Sequence, residues 1–429
     1  GGTSTANGLN ISGTELELIA SAGLTLSTSG DVVVDGITGA NSDNISGTFT
    51  IDSGNNVSFL TADSTFNALD VQADDGIIIS RNITTDTGAL TLDGDDDNGA
   101  DGTDNITIAA DITLTAGTSL TLDATTGNIT GAGALSLNAT NGITLNDDLT
   151  LSGSGALTVD ADTDNNGGAF SAQGLNTTAG SVDEISITAA DVTLNAVVNA
   201  GGGNVSLIPS QNGTTVNVGD DNGGGFVITD TELDFITSSA TVTIGDANDA
   251  ASITVDNLTP AATISGTLAL SSNGDITFSG QTSVYSQTLS AVSAAADVNV
   301  NTGLNSTSSV TLDASAAGNV DLSGSGVITL SGTGDLTAIA NNDFTMTTTA
   351  VITHSGNGNI DLTANGAGNT LQIGNDSAHN VTMTHSGNGD IRLNAPSGAA
   401  RLRGNNTTLS ITGNGDLVVT ANTFVVFDA

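Results

Sequence analysis

The chain has 429 residues, and its 46 carboxylates face four cations, Arg81, Arg392, Arg401 and Arg403, for a formal charge of −42. Nucleic acid is thereby excluded as a partner, because binding it means neutralising phosphates with Lys and Arg. An anionic membrane surface is disfavoured for the same reason, and divalent cations or a cationic partner are the natural counterions. Without Cys there is no disulfide stapling. No run of 18 apolar residues exists, so membrane insertion as a helix is not expected. Three Pro and 55 Gly, with Asn, Asp and Ser at the breaks, argue against long helices.

Up to residue 105 the apolar segments are short and unevenly spaced: Leu24-Thr25-Leu26, Val32-Val33-Val34, Phe49-Thr50-Ile51, Val57-Ser58-Phe59, Ile77-Ile78-Ile79 and Leu90-Thr91-Leu92. Ahead of them stands Gly13-Thr14-Glu15-Leu16-Glu17-Leu18-Ile19. It recurs in the second half of the chain as Asp230-Thr231-Glu232-Leu233-Asp234-Phe235-Ile236. Each copy is expected to turn a corner, as a short helical turn or a bent strand, with Thr14 or Thr231 as its cap.

From Ile106 to Asp160 the pattern is regular. Ile106-Thr107-Ile108, Ile112-Thr113-Leu114 and Leu120-Thr121-Leu122 are followed about 23 residues on by Ile129, Leu135-Ser136-Leu137 and Ile143-Thr144-Leu145. An apolar-Thr-apolar tripeptide has period two, so its outer residues share one face and the Thr points to the other. Three such strands per repeat, parted by Gly, Asn and Asp turns, predict an all-β fold. The architecture expected is a parallel β-helix, a three-sided β-solenoid with about 22–24 residues per coil. About 18 or 19 coils at about 4.8 Å each make a rod on the order of 90 Å. The chain divides into less regular coils at 1–105, regular coils with acidic loop insertions at 106–225, and coils from 226–429 that begin with the second copy of the N-terminal motif.

Beyond Val320 the spacing tightens to eight residues: Val320, Ile328, Leu336, Phe344, Ile352 and Ile360. Thr353-His354-Ser355-Gly356-Asn357-Gly358 returns further on as Thr384-His385-Ser386-Gly387-Asn388-Gly389. The separation is not a whole coil, so an insertion is expected around Asn365–Thr370 or Gly374–His379. Both histidines begin the same turn and are expected to face solvent. With His379 they are too few and scattered to predict a metal site. Phe424-Val425-Val426-Phe427 is followed by no amphipathic capping helix, which suggests either a longer chain or end-to-end stacking.

The densest acidic stretch is Asp93-Gly94-Asp95-Asp96-Asp97-Asn98-Gly99-Ala100-Asp101-Gly102-Thr103-Asp104. Asp93, Asp95, Asp97, Asp101 and Asp104 fall at positions 1, 3, 5, 9 and 12, as in a calcium loop. Asn98 stands where that loop needs Gly, and Asp104 where it needs a bidentate Glu. Two readings follow: Ca²⁺ held by clustered oxygens, or a solvated acidic insertion. Asp160-Ala161-Asp162-Thr163-Asp164-Asn165-Asn166 leaves what looks like an equivalent strand and reads as a weaker copy. Asp220-Asp221-Asn222 is weaker still. A glycan-cleaving site would have Asp74, Asp75 and Arg81 as candidates, but Trp is absent and Tyr285 stands alone. Arg392, Arg401 and Arg403 are expected to pair with acidic turns of their own rod or with the acidic start of a next subunit.

Ile185-Ser186-Ile187-Thr188-Ala189-Ala190-Asp191-Val192-Thr193-Leu194, Thr231–Ile236 and Leu157–Asp164 resemble repeats of giant bacterial surface proteins of the filamentous-haemagglutinin-like class. The resemblance implies a right-handed β-helix, export by a two-partner or autotransporter route, and an extracellular or cell-surface place on a bacterium. The expected function is non-enzymatic: part of an extracellular fibre, sheath or matrix. Its partners are then itself, end to end, or neighbouring repeats of the same giant chain. The alternative is the stalk of a secreted adhesin.

Overall fold

The computed structural model describes residues 9–99, 103–177, 184–220, 223–260, 262–375, 380–404 and 406–428. Over them the chain is short strands paired in parallel and stacked as a β-solenoid, with almost no helix. It forms two compact units, Gly1–Val205 with Phe235–Thr237, and Ser206–Asp234 with Ser238–Ala429.

Each unit is three-sided. In the first, one sheet stacks eight strands from Leu24–Thr28 to Val192–Leu194. A second runs from Val32–Val34 through Ile77–Ile79 and Ile106–Ile108, and a third from Ser64–Phe66 through Ile112–Ala116 and Leu135–Ala139. In the second unit the three sides pass through Thr267–Ser272 and Leu336–Ala340, through Ile276–Phe278 and Phe344–Met346, and through Ser283–Tyr285 and Val327–Leu330. The register is the one the tripeptides imply. Ile106 pairs with Ile129, Ile112 with Leu135 and Leu120 with Ile143. Burial alternates strictly along these strands, with the apolar residues inside and Thr or Ser outside. Each fully buried Leu, Ile or Phe contributes about 1.5–3 kcal/mol.

Coil length varies because strands must stay in register to keep their apolar face inside, whereas corners can absorb extra residues. The coil from Phe49 to its partner Leu69 is short, whereas that from Leu90 to its partner Leu120 is long. The long coil carries the Asp93–Asp104 loop. In the second unit the spacing between partners widens from Leu336/Ile360 to Phe344/Leu371, and again to Ile352/Met383. The insertion expected there is therefore split between both corners.

The repeated motif forms a helical turn in both copies, and its cap corrects the expectation. Helix α1 (Gly13–Leu16) is capped by Ser12 in a reciprocal pair with Glu15. A second turn, α2 (Gly39–Ser42), follows, with the Thr38 amide donating to Asn41 Oδ1 at 3.2 Å. In α3 (Asp230–Phe235) Thr229 and Glu232 exchange the same bonds at 2.9 and 3.2 Å. The capping box needs its acid three residues after the cap, which selects Ser12 and Thr229. Thr14 and Thr231 lie inside the turn.

The duplication also runs further than the sequence reading found. Isolated bridges join Ser21 to Ile45 and Ser238 to Ile264. The amide of Ile37 donates to buried Ser64 Oγ, and that of Leu258 to buried Ser283 Oγ. Phe66 in the first copy corresponds to Tyr285 in the second, both fully buried. The Tyr285 hydroxyl makes no hydrogen bond of normal geometry and is left with a weak interaction with the Ser283 side chain. Because a poorly bonded buried hydroxyl is a cost that Phe66 avoids, Tyr285→Phe is expected to leave stability unchanged or raise it by up to about 1 kcal/mol. The urea midpoint of the full chain reads this directly.

The Ser-Gly-Asn-Gly turns stack as glycine columns. A Cβ on Gly356 would run into the Gly332 carbonyl, and one on Gly387 into that of Gly356. Gly202, by contrast, faces open space. Gly356→Ala is expected to cost at least about 2 kcal/mol, and Gly202→Ala less than about 0.5 kcal/mol. Paired thermal melts of the two variants check the difference.

Candidate functional site

Parallel register stacks outward residues as strictly as inward ones. On the first sheet of the first unit it builds the column Ser27, Asp52, Gln72, Asp93, Asp123. Ser27 Oγ donates to Asp52 at 2.9 Å, and Asn146 Nδ2 to Asp123 at 2.7 Å. The corner after these strands adds Asp74 and Asp75, then Asp95, Asp96 and Asp97, then Asp147 and Asp148. Burial pushes the Asp93 carboxyl up to about 6, with Asp123, Asp96 and Asp95 adding repulsion and the Asp95 amide opposing. Asp74 and Asp96 are raised by burial and then by neighbouring carboxylates. Burial also raises Asp147, whose carboxylate accepts the Ala124 amide at 2.6 Å. An open concavity of ≈ 320 Å³, lined by Gly127, Asn128, Asn146, Asp147, Asp148 and Gln173, adjoins this corner.

Within the acidic loop the aspartates have separate places. Asp93 Oδ1 accepts the Asp95 amide at 3.0 Å. Asp95 is buried and its Oδ2 accepts the Thr126 amide of the next coil at 2.5 Å. Asp97 is exposed and closes its own turn by accepting the Gly99 amide at 2.8 Å. Asp104 is buried beside Thr126. Asp101 lies outside the described residues. Among the described residues no three His, Asp or Glu side chains converge as a metal-binding group.

The second acidic loop is not equivalent to the first. Asp160 ends a strand of the third sheet, whereas Asp93 ends one of the first. Asp162 Oδ1 accepts the amides of Asn166 and Gly167 at 2.8 and 2.9 Å, so that turn is satisfied by its own backbone. The sequence misled because Leu157–Asp160 and Leu90–Asp93 carry the same apolar-Thr-apolar-Asp signature on different sides. Asp220 accepts from Asn257 at 3.1 Å, and Asp221 and Asn222 lie outside the described residues. Asp74 and Asp75 follow the strand Ala68–Ala73, whereas Arg81 sits at the next corner, donating to the Thr61 carbonyl at 2.7 Å. The candidate glycan-cleaving trio is not brought together.

The histidines correct a second expectation. His354 and His385 are fully buried and stacked, with ring centroids 4.8 Å apart. Each Nε2 bonds the carbonyl of Gly334 or Gly358, and each Nδ1 accepts the amide of Gly356 or Gly387. Both ring nitrogens are used by the corner, which needs neutral rings protonated at Nε2. The signal was in the phase: Ile352 points inward, so His354 two residues on does too, and likewise Met383 and His385. His379 lies outside the described residues. Arg392 pairs within its own unit, to Asp361 at 3.2 Å and Asp390 at 2.8 Å, and Arg401 stacks on Phe424 at 5.3 Å.

Burial lowers His354 below its ordinary value of 6.5, its facing charged groups being Asp335 and His385. The unfolded chain takes up a proton near 6.5 that the folded unit does not. This contribution to stability is therefore complete above that value and lost as pH falls below it. Amide exchange in Val351–His354 is expected to speed up between pH 7.5 and pH 5.5, after correction for intrinsic rates. Unchanged protection there would contradict a neutral, buried His354 ring.

Comparison with protein-family models, with curated proteins and with solved structures finds no match for this chain. The protein is a parallel β-solenoid repeat protein.

Proposed function

We propose that the chain does mechanical and spatial work, as a non-enzymatic component of an extracellular bacterial fibre, sheath or matrix. The observation that carries this reading is the unbroken parallel stacking within each unit, with a continuous apolar interior and a Thr-, Asn- and Asp-rich exterior. Hydrogen bonds that run coil to coil resist extension along the stack, and each coil depends on its neighbours. The resemblance of Ile185–Leu194, Thr231–Ile236 and Leu157–Asp164 to filamentous-haemagglutinin-like repeats supports the same reading and a surface location. Among the described residues no helix is long and apolar enough to cross a membrane.

Partners in this reading are further coils of the same kind, from a second copy or from the same giant chain. Coil edges carry apolar side chains that such a coil covers: Leu18 is 80% exposed and Phe427 70%. Phe235, the counterpart of Leu18 in the second copy of the motif, is half-buried. Negative-stain electron microscopy of the purified chain tests the proposal. Filaments of abutting subunits are expected for a fibre component. Isolated particles at every concentration would favour the stalk of an adhesin, and catalytic turnover of a polysaccharide would overturn both.

A further inference from the structure

Asp95 and Asp104 are 0% and 6% exposed, and in each the Oδ1 atom is buried without a hydrogen-bond partner. Their other oxygens grip one residue of the following coil. Asp95 Oδ2 takes the Thr126 amide at 2.5 Å, and Asp104 Oδ2 lies 3.4 Å from the Thr126 hydroxyl. That hydroxyl is also 3.2 Å from the Gly99 carbonyl oxygen. Two carboxylates, a hydroxyl and a carbonyl thus gather around Thr126, and neither of the described arginine ion pairs reaches them. Buried carboxylate oxygens without donors are costly. The corner leaves this cost in place although Asn at either position would remove a charge at nearly constant shape.

We propose that Asp95 and Asp104 are the anionic ligands of a calcium site that staples two successive coils. Thr126 Oγ1, the Gly99 carbonyl and water complete a shell of about six to eight oxygens. All of the donors are hard oxygens, which argues against softer transition metals. Loop oxygens of mixed type suit calcium better than magnesium, which demands a tight octahedron and keeps its own water. The ligand set differs from the linear calcium-loop pattern: Asp97 is spent on its own turn, and Thr126, from the coil that follows Asp104, takes part. Asp93 acts as a positioning residue by holding the Asp95 amide. The site does not depend on the fibre reading.

Calorimetric titration of the full chain with calcium chloride in 0.15 M sodium chloride tests the proposal. Wild type is compared with Asp95→Asn, Asp104→Asn and Asp97→Asn, so that diffuse binding to the acidic surface cancels. One saturable component is expected, weakened at least tenfold by Asp95→Asn and by Asp104→Asn and changed less than twofold by Asp97→Asn. In wild type, calcium is expected to slow exchange of the Thr126 amide while the Val351–His354 strand is unaffected. This second readout decides the matter even if a variant fails to fold. Binding that is absent, equal in all four proteins, or without effect at Thr126 would overturn the site.

Discussion

Parallel in-register stacking is the constraint on which everything else in this protein depends. A strand residue's ladder partner is the one at the same position in the next coil, as Leu69 is for Phe49 and Arg392 for Asp361, so the fold sets like positions upon one another. Where the repeated residue is Ile or Leu, this makes a dry interior with each side chain in a slot formed by its own kind. Where it is Gly, backbones approach too closely for any Cβ, as at Gly332, Gly356 and Gly387. The same geometry stacks His354 on His385 and turns a potential pair of charges into a neutral, hydrogen-bonded ladder.

Stacking has a cost when the repeated residue is acidic. Asp93 beside Asp123, with Asp95 and Asp96 at the corner, concentrates negative charge that no Lys is present to offset. The chain moderates it by interleaving donors, Ser27 against Asp52 and Asn146 against Asp123. Burial first, and then repulsion from neighbouring carboxylates, raises the carboxyls of Asp93, Asp74 and Asp147. A net charge of this size makes like solenoids repel one another, an effect that salt screens.

Internal duplication gives the architecture a history that can be read in particular residues. Ser12–Glu15 and Thr229–Glu232 cap equivalent helical turns, and Ser64 and Ser283 accept equivalent buried amides. The copies have drifted where packing tolerated it, as at Phe66 and Tyr285. They kept the capping box and the buried serine, whose loss would orphan backbone donors.

The solenoid and its register were legible in the sequence because period-two alternation and a near-constant repeat length are local properties of the chain. The tripeptides from Ile106 to Leu145 name their own partners. The inward histidines were equally legible in principle, since Ile352 and Met383 set the phase. Other features depended on which corner a loop occupies, and that is fixed by the count of strands already laid down. Asp160 carries the same local signature as Asp93 yet stands on another side. Thr126 is silent in sequence but meets Asp95 and Asp104 because the long coil between Leu90 and Leu120 brings the next turn over them. The sequence by itself determined which residues face inward, for alternation needs only neighbours along the strand. Only the tertiary structure decided which carboxylates lose their water, because burial at a corner depends on the coil stacked above it.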